Sequence, residues 1–99
     1  MPKLESRFVQ EDLIPALNHL FPGCFIYKLD PNQVQGIMDR LILWGPYWFT
    51  LETKSWEKAA RQPNQEFYVE KFNDMSYSAF ISPDNMWEVL NEIHATLGV

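Results

Sequence analysis

Residues 35–54 read QGIMDRLILWGPYWFTLETK, with short aliphatic and aromatic runs on either side of Gly45-Pro46. Runs of this composition broken by a turn dipeptide form a β-hairpin. With a two-residue turn, Trp44 faces Tyr47, Leu43 faces Trp48, and Asp39 faces Glu52. Strand side chains alternate with period two, so Lys54 points to the same side as Glu52. A longer loop that kept the facing sides would also leave these three residues close.

An acid opposite an acid is costly. Two carboxylates about 5 Å apart repel by roughly 3 kcal/mol at an effective dielectric near 20, and like charges directly opposed weaken a sheet. A divalent cation between the oxygens removes the repulsion. Hard cations such as Mg2+ take one or two carboxylates together with substrate phosphates. A lysine on that face can position a water or balance charge developing on a phosphate.

Gly36-Ile37-Met38-Asp39, followed by Glu52-Thr53-Lys54, resembles the G-x-P-D…E-x-K signature of the PD-(D/E)xK nuclease superfamily, in the small stand-alone VRR-NUC form of phages and bacteria. Gln65 falls where that form has a glutamine opening the next helix, and Met38 stands where it usually has proline. The resemblance implies that Asp39 and Glu52 ligate Mg2+ or Mn2+, with the backbone carbonyl of Thr53 joining them. It implies a further metal-site glutamate on the first helix, Glu5 as first choice and Glu11 as second. Lys54 would orient or activate the attacking water, Gln65 would order the site, and Lys28 matches a basic position that can reach a phosphate. The activity implied is a metal-dependent DNA endonuclease that hydrolyses phosphodiester bonds. Stand-alone members of this kind are associated with homodimers that cut branched DNA, including four-way (Holliday) junctions. The setting implied is the cytoplasm of a bacterial cell or a phage-infected host.

The bulk composition bounds these expectations. Ninety-nine residues make one domain, 1–99, and 46% hydrophobic content with 15% aromatic content is that of a folded chain. The single cysteine, Cys24, excludes an internal disulfide and argues against a zinc cluster. No apolar run approaches the ~20 residues of a membrane helix, and the N-terminus lacks a signal-peptide pattern. Glycines lie scattered at turns, so there is no phosphate loop and no nucleotide cofactor is expected. Four tryptophans and seven phenylalanines exceed what so small a core absorbs, which favours a two-fold dimer.

The net charge of −5 is adverse for nucleic-acid binding. It is unevenly spread, however. All eight Lys and Arg residues lie within 1–71 beside nine acids, whereas 72–99 carries Asp74, Asp84, Glu88 and Glu92 with no basic residue. Metal bound at Asp39, Glu52 and another acid would leave the first part cationic around the site.

Apolar positions at 8, 9, 13, 14, 17, 20 and 21 predict helix over 4–21. Pro15 makes that either a kinked helix or two short ones, the second capped by Asp12. Residues 24–28 read as a strand and 29–35 as a loop. Lys54, Lys58 and Arg61 fall at helix-like spacing beside Trp56, a basic stretch that could track a nucleic-acid backbone while the indole stacks. Residues 64–72 read as a helix with Tyr68 and Phe72 on one face, and 76–81 as a strand. Ser82-Pro83 reads as a helix start, the apolar stripe Met86, Val89, Leu90, Ile93 and Leu97 as the helix, and Gly98 as its end. His19 and His94 read as surface or core-edge residues. The resulting order α-β-β-β-α-β-α is that of an α/β fold, and the resemblance implies a central mixed sheet of about four strands flanked by helices. The contrasting expectation is a non-catalytic acidic binding or inhibitor protein, such as a DNA mimic, in which Asp39 pairs with Arg40 or Lys54.

Overall fold

The computed structural model describes residues 4–99. Its elements are α1 (Glu5–Phe8), a π-helical turn (Val9–Leu13), α2 (Ile14–Leu20), β1 (Phe25–Lys28), β2 (Arg40–Trp44), β3 (Tyr47–Thr53), α3 (Gln65–Met75), β4 (Ser78–Ile81) and α4 (Met86–Leu97). The four strands form one mixed sheet in the order β1-β2-β3-β4. β2 pairs antiparallel with β1 on one side and with β3 on the other, and β4 returns parallel to β3 after α3. The parallel return needs a crossover, and α3 supplies it.

The hairpin has the register a two-residue turn dictates. Trp44 pairs with Tyr47, Leu43 with Trp48 and Arg40 with Leu51. Gly45 holds φ +58°, the left-handed value that a tight hairpin turn requires and that glycine adopts without strain.

One face of the sheet carries Ile42, Phe49, Leu51 and Ile81, all fully buried under α1, the π turn, α2 and α4. Phe8, Leu13, Leu17 and Phe21 enter this core from the first helical run, Leu90 and Ile93 from the last. His94 sits at its edge, stacked 4.5 Å from Phe21, with its two ring nitrogens 3.2 Å from the Leu20 and Val99 carbonyls. α3 packs on the opposite face, where Phe72 meets Trp48 edge-on at 6.3 Å and lies 5.7 Å from Tyr68.

Three local expectations change. The first helical run neither breaks nor takes a cap from Asp12. It continues through a π turn in which the Ile14 amide donates to the Val9 carbonyl, five residues back, and Pro15 falls in the first turn of α2. The wider turn relieves the clash that a proline ring makes with the carbonyl four residues before it. The segment 55–64 holds no helix, so Lys54, Lys58 and Arg61 do not share a helical face. α4 begins at Met86 rather than at Pro83, because Ser82 and Asn85 close a turn first: the Ser82 amide donates to Asn85 Oδ1 at 2.8 Å. Among the described residues no helix is long and apolar enough to cross a membrane.

Candidate active site

At the open end of the β2–β3 hairpin the two acids meet through the main chain. The Asp39 amide donates to Glu52 Oε1 at 3.1 Å. In return Asp39 accepts from Thr53: the amide reaches Oδ1 at 3.2 Å and the hydroxyl reaches Oδ2. Thr53 therefore contributes its N–H and hydroxyl to holding Asp39, a role that its place in an E-x-K motif does not announce.

Behind Glu52 runs a chain of buried polar groups. Gln65, first residue of α3, donates from Nε2 to Glu52 Oε2 at 3.0 Å. Its Oε1 accepts from Lys54 Nζ at 3.0 Å and from the Gln62 amide at 2.8 Å. Two donors on one oxygen fix the amide's orientation and leave Nε2 only the carboxylate. Lys54 is 6% exposed and also donates to the Ala60 carbonyl at 3.0 Å. It touches neither carboxylate; Gln65 relays it to Glu52.

The loop that delivers Asp39 is anchored where Gly36 passes 62–65. A Cβ on Gly36 would lie 2.6 Å from the Asn64 Cβ and 2.9 Å from the Pro63 carbonyl, and Gly36 has φ +84°. Glycine is thus required twice over, by backbone angle and by contact. Asn64, immediately before α3, itself takes φ 74°. Met38 is fully buried, so side-chain burial fixes the position next to Asp39.

Asp39, Glu52 and Gln65 face a cavity of about 260 Å3, walled by Gly36, Ile37, Gln62 and Pro63. Burial, and then the Asp39 charge, push the Glu52 carboxyl up to about 7, with Lys54 pulling the other way. The site is short of positive charge. Arg40 Nη1 lies 3.8 Å from Asp39 Oδ2, a loose approach, and donates to the Asp39 carbonyl at 3.2 Å.

The charge of Glu5 adds only the smallest part of the upward push on Glu52. Glu11 instead pairs with Arg7 at 2.9 Å and lines a separate groove with Trp87. Among the described residues no three of His, Cys, Asp and Glu converge closely enough to hold a metal by themselves. The three-acid set of Glu5, Asp39 and Glu52 is therefore not assembled here. Two carboxylates with surplus negative charge remain, and that donor set fits a hard cation which keeps several waters.

The expected nucleic-acid contacts are dispersed. Lys28 is exposed at the end of β1, Trp56 and Lys58 are exposed on the loop after β3, and Arg61 is held by Glu66 at 3.0 Å and lies 3.8 Å over the Phe80 ring. They do not form one continuous basic track, because Lys54 is buried and Arg61 is engaged.

No family model, curated protein or solved structure matches the chain.

Proposed function

We propose that the chain is a metal-dependent nuclease of the PD-(D/E)xK kind, of VRR-NUC type, acting on branched DNA such as four-way junctions as a homodimer in a bacterial or phage-infected cell. The observation that carries this reading is the meeting of Asp39 and Glu52 across the hairpin, with Gln65 and Lys54 chained behind them. The four-stranded mixed sheet flanked by helices supports this reading. Mg2+ or Mn2+, when bound, supplies charge neutralisation and a water of lowered pKa. Asp39 and Glu52 present the oxygens that would hold it, and Thr53 and Gln65 fix those oxygens in place. Lys54 Nζ has three protons and spends two, on Ala60 and Gln65. The third is left to orient a water or a phosphate oxygen.

One observation favours a second reading, a non-catalytic acidic binding protein. Lys54 does not face the cavity that Asp39 and Glu52 line. In that case Lys54 and Gln65 are structural, and the loose Arg40 contact is what balances Asp39. Thermal denaturation with and without Mg2+ or Mn2+ separates the two. The nuclease reading requires a metal-dependent rise in melting temperature that Asp39→Asn abolishes; the binding-protein reading requires no rise in either protein.

A further inference from the structure

A second cavity opens one step along the same two strands. Leu41 and Thr50 are cross-strand partners, each two residues from Asp39 and Glu52 and on the same faces of β2 and β3. Two residues along a strand span about 7 Å. Ile37 lines both cavities, so they share a wall. The second is a cleft of about 470 Å3 walled by Tyr27, Leu41, Trp48 and Phe72, with Asp30 and Gln33 among its polar lining.

We propose that this cleft receives an unpaired nucleobase of the strand to be cut, stacked against Tyr27 and Trp48 and read at its edge by Gln33 and Asp30. The proposal rests on the nuclease reading for why such a strand comes here, and on the cleft alone for the contact. The size is within that of small-molecule sites, which are mostly apolar with a few polar groups that fix orientation. Here the polar groups are available. Asp30 accepts the Asn32 amide on Oδ1 only, and the Gln33 side-chain amide engages no group among the described residues. Thr50 is not among them, since its hydroxyl donates to Ser78 at 2.8 Å. Tyr27 is 54% exposed, so the cleft is open to a ligand.

Phosphate attraction cannot carry the affinity here. At a net charge of −5 the chain gains little from phosphate attraction, the sequence-independent term that dominates most nucleic-acid affinity. Base–aromatic contacts carry affinity without it. A base paired in a duplex cannot enter a cleft of this kind, whereas an unpaired or extruded one enters at small cost. The cleft therefore selects DNA with a free nucleotide next to the bond that faces Asp39 and Glu52.

The test is a fluorescence titration in metal-free buffer, using a duplex with a single bulged 2-aminopurine and a duplex with the same base paired. The bulged base should be quenched on binding and the paired one should not. Tyr27→Ala should weaken binding of the bulged duplex by about 5- to 150-fold, Gln33→Ala should weaken it several-fold, and neither should change binding of the paired duplex. Absence of quenching, or equal loss on both duplexes, overturns the proposal. So does a Tyr27→Ala variant that sediments as a monomer where the wild type is a dimer while 2-aminopurine emission is unaffected; a second copy of the chain would then cover the cleft. Quenching without any metal-dependent cutting upholds the base cleft and defeats the nuclease reading.

Discussion

The Asp39 main-chain amide donates to Glu52 Oε1 across 3.1 Å, while the Asp39 charge pushes the Glu52 carboxyl up. The backbone thus holds together two acids whose side chains repel. A sheet end built this way is under electrostatic load.

Protonation comes first. The Glu52 carboxyl stands at about 7 in the folded chain against an ordinary 4.5, through burial and then Asp39. A carboxyl raised in the native state binds protons there that the unfolded chain has lost, so its contribution to stability is complete below 4.5 and fades as pH rises through about 7. A carbon-detected titration of the Glu52 carboxyl should show a midpoint near 7 without metal, moving down when Mg2+ is added. A midpoint near 4.5 in metal-free buffer contradicts it.

Removing one charge should stabilise the metal-free protein. Asp39→Asn keeps an oxygen for the Thr53 amide and deletes the repulsion on Glu52. A gain of about 1 kcal/mol corresponds to roughly 4–8 °C in melting temperature for a domain of this size. Calorimetry of wild type and variant at neutral pH in a chelating buffer measures it, and a lower melting temperature in the variant would count against a strained acidic pair.

Gln65 should matter structurally as well as chemically. Gln65→Ala strips an acceptor from Lys54 and the Gln62 amide and a donor from Glu52. Leaving buried polar groups unmatched costs about 1–3 kcal/mol. Urea unfolding should show a loss in that range; a neutral result would mean that these groups are satisfied in another way.

Gly36→Ala combines a left-handed backbone with a Cβ placed 2.6 Å from Asn64 Cβ. A loss of roughly 2–3 kcal/mol is expected from strain and contact together. The same unfolding experiment reads it, with Gly23→Ala as the control for backbone angle alone, since Gly23 has φ +80° and nothing near its Cβ position.

The hairpin was legible because Gly45-Pro46 and the flanking residues each specify a local state, and the observed register pairs Arg40 with Leu51, one step before Asp39 and Glu52. The helix read over 64–72 is α3, Gln65–Met75, with Gln65 as its first residue. What escaped depends on chain paths that local pattern does not encode. Lys54 finds its carbonyl on Ala60 only because the irregular loop 55–64 folds back over it. The need for glycine at 36 comes from Asn64, twenty-eight residues away, and the π turn answers a proline clash by widening a helix instead of ending it. The cleft beside Leu41 is assembled from β1, β2, β3, α3 and the 29–37 loop, so no single segment displays it.

The most direct measurement is cleavage of end-labelled four-way junction, flap and plain duplex DNA with Mg2+ or Mn2+, by wild type, Asp39→Asn and Lys54→Ala. Metal-dependent cutting by the wild type is expected, abolished in both variants and fastest on substrates with branch points or unpaired nucleotides. A folded wild type that cuts none of the three with either metal would contradict the nuclease reading and leave the acidic binding protein in its place.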